Sequence, residues 1–234
     1  MSEPTRRFYQ AAEAVAHEGG FAVTLDGRAL RTPGRLAFVV PTRALADLCA
    51  AEWAAQTDVI RPMAMPVTRL ANVAIERAKD TRAALAEGVA KYAETDLLCH
   101  RAGHPQRLVE RQAAAWDPLL EWAAAALGVR LHPVAGISAD QRNIAAVAPL
   151  QALAGGLDDF RLTGLAHASG LTGSCILAIA LLRGRLDGAA AAGLASLDEE
   201  WSLETWGEDA EARDRLVRLA GEIAAVDRFF RALG

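Results

Sequence analysis

The sequence predicts an α+β protein, with a small antiparallel β-rich N-terminal domain followed by a larger all-helical C-terminal domain. Apolar residues alternate over residues 21–25, as they do in a half-buried strand. From Thr42 onward the apolar residues recur at helical spacing instead. Two prolines in residues 59–66 separate the two regions, because proline is not tolerated in a helix interior. We therefore expect a β-rich domain with one or more helices at 1–62 and a helical domain at 63–234.

Turn residues delimit the strands of the predicted N-terminal meander. Asp26-Gly27 is a common two-residue hairpin signal, since glycine accepts positive φ at no steric cost. It places a strand at 21–25 and a returning strand at 28–31. A second turn at 32–34 leads to another strand at 36–40.

Caps and breakers delimit the predicted helices. Thr42 is a suitable N-cap for a first helix that runs to about Gln56. The residues from 59 to 66 then form an extended linker. The next helix is predicted at 68–79, with a continuation or restart to 96, and another at 106–116. A helix restarts at Asp117-Pro118 and ends at Gly128, and a capping box at Ser138 and Gln141 opens one that is limited by Pro149 and Gly155-Gly156. The remaining helices are predicted at 158–168, 172–183, 187–206 and 209–233.

The composition excludes several classes of protein. A net charge of −4 argues against general nucleic-acid binding, which needs a basic face. Three scattered cysteines provide neither a disulfide framework nor zinc spacing, which indicates a reducing compartment. The most apolar run, residues 175–182, is too short to span a bilayer. The first ten residues resemble neither a secretory signal nor a transit peptide, so we expect a cytoplasmic bacterial protein without membrane insertion.

An acidic stretch at residues 197–212 is the most distinctive part of the chain. It contains seven carboxylates and two tryptophans, Trp201 and Trp206, and no lysine or arginine. Leu194, Leu197 and Trp201 share one helical face, whereas carboxylates at 200, 204 and 208 form a stripe on another. One interpretation is a surface helix with its tryptophans in the core. The other is a contact surface for a protein partner, because tryptophan is enriched at such surfaces.

The remaining candidate chemistry is weak. Cys99, His100 and His104 form a local cluster, but adjacent side chains point in different directions, so we expect no metal site. Residues 170–175 are glycine-rich but match neither a phosphate-binding loop nor a nucleophile elbow. The acids from Asp198 onward leave open a carboxylate-dependent hydrolase of unknown substrate. We expect no catalytic residue and no cofactor.

Several short stretches between residue 6 and about residue 212 form a specific pattern through their order and spacing. They are Arg7-Phe8-Tyr9, Leu25 to Arg28, Thr32-Pro33, Glu52 to Gln56, Ile60 to Pro62, Met65-Pro66, Leu70 to Asn72, Tyr92, Asp96 to Ala102, Gln112, Trp116 to Leu120, Trp122, Gly173-Ser174, Asp198 to Trp201 and Trp206-Gly207. Their joint order and spacing resemble the Atp12 family of assembly chaperones for the F1 sector of ATP synthase. The sequence departs from the common family pattern at His100, where tyrosine is usual, and at Ser202, where glutamine is usual.

The resemblance implies the same two-part fold and a specific function. Family members bind the free α subunit of F1 and keep it from aggregating until it pairs with β, without nucleotide or metal. An unassembled subunit exposes a large apolar interface, which is an aggregation hazard. The resemblance also implicates one acid of residues 198–200. We expect a monomer that binds α transiently; a structural subunit retained in the final complex is a further alternative. The predicted contact residues are Asp198, Glu199, Glu200, Trp201, Glu204 and Trp206.

Overall fold

The computed structural model describes residues 5–136 and 143–234, and it has the predicted α+β architecture. The N-terminal sheet has β2 (Gly20–Leu25) at its centre. Antiparallel to β2 lie β1 (Ala12–His17), β3 (Arg28–Ala29) and β4 (Val39–Val40). Helices account for most of the chain after the sheet.

The turn predicted at Asp26-Gly27 is confirmed. Leu25 pairs with Arg28, and both turn residues have positive φ, 48° at Asp26 and 76° at Gly27. Positive φ at both central residues is the two-residue geometry that follows the twist of the strands. The Asp26 carboxylate accepts hydrogen bonds from the Ala11 and Gln10 amides, which lower its pKa. The turn therefore also ties down the segment that leads into β1.

The strands differ in extent from the prediction. The returning strand predicted at 28–31 stops at Ala29, and the strand predicted at 36–40 is reduced to β4. Strand β1 was not predicted, yet it pairs with all six residues of β2. Its sequence, AEAVAH, is rich in alanine and glutamate, which are weak strand formers. Pairing with β2 overrides that local preference.

The first helix begins where the sequence predicts. Helix α1 (Arg43–Ala54) follows Thr42, whose side chain accepts a hydrogen bond from the Leu45 amide at 3.2 Å. Its buried face, which includes Leu45 and Cys49, packs on the first two strands. The amphipathic spacing of α1 thus closes one side of the sheet.

The connection predicted to be extended over 59–66 is extended only at its start, because Pro62–Ala64 is a 3-10 turn and Pro66 already begins a helix. Val59 pairs with Arg6 in an isolated bridge, and Pro62–Ala64 forms a single 3-10 turn. Buried apolar side chains form one continuous cluster from β2 through α1 into the helical part of the chain. The division into domains at residue 62 stays a prediction.

The helical part differs from the prediction chiefly at its boundaries. Its helices are α2 (Pro66–Val73), α3 (Lys79–Lys91), α4 (Gln106–Trp122), α5 (Ile144–Gly155), α6 (Asp159–Thr172), α7 (Cys175–Leu182), α8 (Gly188–Ala195), α9 (Leu197–Trp206) and α10 (Ala210–Leu233). A π-helical turn, Ala74–Ala78, joins α2 to α3, so the chain continues there rather than restarting.

Two predictions about where a helix is continuous are wrong. Pro118 lies inside α4 and does not restart a helix, so the surrounding packing outweighs the loss of its backbone donor. The helix predicted at 187–206 is broken at Ser196 into α8 and α9. The predicted end at Gly128 is confirmed, with φ of 66°. The capping box predicted at Ser138 and Gln141 lies outside the described residues.

Helix α7 lies at the centre of the helical part, with residues 175–181 buried. Ser174 caps it by accepting from the Leu177 amide at 3.0 Å. The buried Asp96 also accepts from the Ile176 amide at 3.3 Å and from the Cys175 thiol at 3.2 Å. Burial raises the pKa of the Asp96 carboxyl. Among the described residues, no helix is long and apolar enough to cross a membrane.

Candidate functional site

The predicted contact residues lie on α9, between α4 and α10. Gly207, with φ of 104°, ends α9 at the residue after the predicted range 187–206, because positive φ is unfavourable for other residues. Leu197 and Leu203 are buried, and Trp201 is half-buried. The helix is therefore anchored along one face, and its polar residues lie on the surface.

Two of the predicted acids form ion pairs with α10. Glu199 lies 3.2 Å from Arg215, and Glu200 lies 2.9 Å from Arg213. Arg213 also pairs with Glu208 at 2.7 Å, in the connection between the two helices. These pairs offset part of the negative charge of the acidic stretch and join α9 to the start of α10.

Glu204 is held from the other side by α4. Both of its carboxylate oxygens accept hydrogen bonds from Arg111, at 2.5 and 3.0 Å. These bonds lower the pKa of the Glu204 carboxyl. The Arg111 guanidinium also lies 5.8 Å from the centre of the Trp201 ring, within the range of a cation–π interaction. One arginine thus positions two of the predicted contact residues.

Asp198 is hydrogen-bonded to the buried side-chain amide of Gln112 on α4. Its carboxylate accepts from Gln112 Nε2 at 2.7 Å, and Gln112 Oε1 accepts from the Ala102 amide at 2.8 Å. Gln112 is almost completely buried. Asp198 therefore connects the surface helix to the interior of the helical part.

Trp206 is the outward-facing member of the predicted set. Its side chain is 77% exposed, and it borders a shallow groove between α9 and α10 that Leu203 and Ala212 help to line. By contrast, Trp116 is fully buried, and its indole N–H donates to the Leu194 carbonyl at 3.1 Å. Trp53 and Trp122 are half-buried. The interpretation with both tryptophans of the acidic stretch in the core is wrong for Trp206.

The arginine partners were missed at the sequence level. Arg111 lies 93 residues before Glu204, so no local spacing relates them. Arg213 and Arg215 begin the first basic cluster after the acidic stretch. Whether they face α9 depends on the direction that the chain takes after the turn at Gly207. In residues 5–136 and 143–234, no group of three or more His, Cys, Asp or Glu side chains is placed to hold a metal ion.

An anchored surface helix that carries an exposed tryptophan among ion-paired carboxylates is typical of a protein that binds another protein. The family model described as ATP12 chaperone protein matches residues 6–124. The mitochondrial protein atp12 of Schizosaccharomyces pombe is 27% identical over 223 residues, which cover 89% of this chain and 77% of that protein.

Solved structures of a bacterial relative share the fold. The crystal structure of Atp12 from Paracoccus denitrificans is 41% identical, with a TM-score of 0.91 and 98% of each chain covered. A variant of that Paracoccus protein with an aspartate replaced by lysine matches at 40% identity, with the same TM-score and coverage. The chain belongs to the ATP12 chaperone family. Membership supports a role as an assembly chaperone for ATP synthase.

Proposed function

We propose that this protein binds the free α subunit of the F1 sector of ATP synthase and prevents its aggregation until α pairs with β. The contact surface lies on α9. Its residues are Asp198, Glu199, Glu200, Trp201, Glu204 and Trp206. Binding is transient, because a chaperone must release its client when the correct partner arrives.

The exposure of Trp206 carries the proposal. A tryptophan that is 77% exposed leaves a large apolar area in water, and tryptophan is among the residues that contribute most to protein interfaces. The groove beside it adds the apolar side chains of Leu203 and Ala212. An apolar centre with a polar, charged rim is the general anatomy of a reversible interface.

The ion pairs around Trp206 support the same function. Arg215, Arg213 and Arg111 hold the acids at 199, 200 and 204 in position before any partner binds. A preorganised surface loses less side-chain entropy on association. The carboxylates and arginines of these ion pairs together present both signs of charge to a polar epitope on the α subunit.

The electrostatics of α9 do not favour the hydrolase alternative. A carboxylic acid that donates a proton near neutral pH needs a raised pKa. The pKa values of Glu204 and Glu208 are instead lowered by hydrogen bonds from arginine. In the described part of the chain, burial raises the pKa of the Asp96 carboxyl, which has no exposed surface.

Size-exclusion chromatography with freshly refolded α subunit tests the proposal. The protein, expected to elute alone as a monomer of 24.8 kDa, should form a soluble complex with α that dissociates when β is added. If α aggregates as fast with the protein as without it, the proposed client is wrong. If the complex persists in assembled ATP synthase, the protein is a retained structural subunit instead.

Matched charge reversals test the contact surface. Glu199→Lys breaks an exposed ion pair on α9, and Asp47→Lys breaks an exposed pair with Arg43 on α1; the two carboxylate side chains are 47% and 54% exposed. The two variants should have similar thermal stability, but only Glu199→Lys should weaken binding of α. Equal binding by both variants would remove α9 from the contact surface.

A further inference from the structure

The groove beside Trp206 runs between α9 and α10 and has a volume of about 410 Å³. We call it the α9–α10 groove; its lining includes Glu199, Ser202, Leu203 and Trp206 on α9 and Ala212 and Arg215 on α10. Trp206 lies at the end near the turn between the two helices, and the Glu199–Arg215 ion pair lies at the other end. Between them the floor is formed by buried Leu203 and by small side chains, so a bulky segment can approach it. The groove thus combines an apolar end with a charged end.

The ion pair between Glu199 and Arg215 is held more loosely than the other arginine pairs of α9. One guanidinium nitrogen of Arg215 lies 3.2 Å from one oxygen of Glu199. By contrast, Arg111 and Arg213 each donate to both carboxylate oxygens of their α9 partner. The Arg215 side chain is 58% exposed, against 37% for Arg111 and 39% for Arg213. Since an exposed pair contributes little to stability, Arg215 can leave Glu199 without disturbing the fold.

The charges around the groove select a cation. Three carboxylates line it, those of Asp198, Glu199 and Asp209, together with the guanidinium of Arg215. Asp209 caps α10 and Asp198 is bonded to Gln112, so these two carboxylates are already engaged by donors of the chain. Glu199 is therefore the carboxylate that a partner reaches by displacing a single exposed side chain. An anion would meet the excess of negative charge and is a poorer match.

The length of the groove selects a helical partner segment. Glu199 and Trp206 are seven residues apart on α9, so about 10 Å separates their positions along the groove. Two side chains seven residues apart on a partner helix share one face and are separated by the same distance. On an extended strand, side chains of one face are about 7 or about 13 Å apart, which fits less well. An amphipathic helix laid along the groove places an apolar side chain against Trp206 and a lysine or arginine against Glu199.

We propose that the α9–α10 groove binds an amphipathic helical segment of the client that carries an apolar side chain and, seven residues away, a lysine or arginine. The cation of the client pairs with Glu199 and displaces Arg215, which is an internal competitor for this position. The inference rests on the proposed function and deepens it, because it assigns the chemistry of the segment that α9 recognises. Competition by Arg215 keeps the affinity moderate, as transient binding requires.

Two synthetic peptides of identical composition test the groove without the α subunit. Each is helical, alanine-rich and about 20 residues long, with two leucines three residues apart and one arginine. In the first peptide the arginine follows the first leucine by seven residues; in the second it follows by nine and lies on the opposite face. The first peptide should bind at least about threefold more tightly, the gain expected for one exposed ion pair. Equal affinities overturn the proposal, as does tighter binding of a third peptide with glutamate in place of the arginine.

The indole N–H resonance of Trp206 shows where the peptide binds. The chain has five tryptophans, and Trp206→Phe assigns this resonance in ¹H–¹⁵N spectra. The first peptide should shift it saturably and leave the resonance of the buried Trp116 unchanged. The absence of a saturable shift overturns the proposal. A shift that appears when the protein alone is concentrated would show that a second copy fills the groove, and it also overturns the proposal.

Arg215→Gln tests the exchange, because it removes the internal competitor. It should tighten binding of the first peptide about threefold and leave that of the second nearly unchanged. Glu199→Gln should abolish the difference between the peptides, and adding Arg215→Gln to it should have no further effect, since the two side chains act through one contact. Arg43→Gln is the matched control; it breaks the exposed pair with Asp47 on α1 and should leave both affinities as they were. Unchanged or weaker binding of the first peptide by Arg215→Gln overturns the exchange.

The two proposals fail in different ways. Arg215→Gln should also tighten binding of the refolded α subunit. If wild-type protein binds α but does not distinguish the peptides, and Arg215→Gln does not tighten binding, the recognition of a helical segment is overturned and the proposed function stands. If the peptides and Arg215→Gln behave as expected but wild-type protein does not bind α, the chemistry of the groove is supported and the assigned client is overturned.

Discussion

Arg111 on α4 and Glu204 on α9 are joined by two hydrogen bonds, and the Arg111 guanidinium also lies against the ring of Trp201. This contact connects helices that are far apart in sequence. It fixes the middle of α9, while Trp206 at its end stays exposed. The charged side chains of the candidate surface are thus held in place by arginine contacts, whereas its apolar tryptophan, Trp206, is exposed to solvent. This arrangement suits reversible binding.

Arg111→Gln should raise the pKa of the Glu204 carboxyl toward its ordinary value of 4.5. The folded pKa of Glu204 is lowered, so its stabilising contribution is present above pH 4.5 and is lost as pH falls through the folded pKa. Carboxyl ¹³C NMR titration measures the change directly. Glu208, whose pKa is lowered by Arg213, is the internal control and should titrate as before. An unchanged Glu204 pKa would show that the contact is not formed in solution.

Replacing two tryptophans should have very different effects on stability. Trp116→Ala removes a fully buried ring and should cost about 3–5 kcal/mol of unfolding free energy. Trp206→Ala removes an exposed ring and should change stability by less than about 0.5 kcal/mol. Urea unfolding measures both values. A loss at Trp206 as large as at Trp116 would mean that the ring is packed, and it would remove the main support for the contact surface.

Features with local signals could be predicted from the sequence. The Asp26-Gly27 turn, the Thr42 cap and the end at Gly207 depend on the conformation or hydrogen bonding of one or two residues. Strand β1 could not be predicted in this way, because only pairing with β2 makes its alanine-rich sequence extended. Pro118 likewise has a strong local signal that the packing of α4 overrides.

The candidate site was predictable only in part. The acidic helix with its tryptophans is visible in the sequence as a local composition. The arginines that pair with them come from α4 and α10, and their faces become known only when the helices pack.

Gly188→Ala should destabilise the protein by about 1–3 kcal/mol, because it overpacks the contact between α8 and α10. A Cβ at Gly188 would lie 2.9 Å from the Ala224 Cα and 3.2 Å from the Asp227 Cβ, and neither atom can move without its backbone. Gly193→Ala in the same helix is the control. Its Cβ would meet nothing within 4 Å, so it should gain up to about 1 kcal/mol from helix propensity. Urea unfolding of the two variants measures both changes. An increase in unfolding free energy for both Gly188→Ala and Gly193→Ala would contradict the close contact between α8 and α10.

Asp96→Asn should lower the unfolding free energy by about 1–3 kcal/mol, since both oxygens of the carboxyl group accept hydrogen bonds near the start of α7. Oδ1 accepts from the Leu98 amide at 3.0 Å, and Oδ2 accepts from the Ile176 amide and the Cys175 thiol. Asparagine has one side-chain oxygen, so one set of donors must face an amide NH₂ group. The protein should still fold, because the Ser174 hydroxyl also accepts from the Leu177 amide in the first turn of α7.

The cost of Asp96→Asn should also shrink as pH rises. Burial raises the folded pKa of Asp96 above the ordinary value of 3.8, so the folded state keeps a proton that the unfolded chain has released. The stabilising contribution of Asp96 is therefore complete below pH 3.8 and declines as pH rises through the folded pKa. Comparing urea unfolding of wild type and variant at about pH 5 and about pH 8 isolates this effect from the other carboxylates. A cost that grows with pH would show instead that the donors at the start of α7 hold Asp96 ionised, with its folded pKa below 3.8.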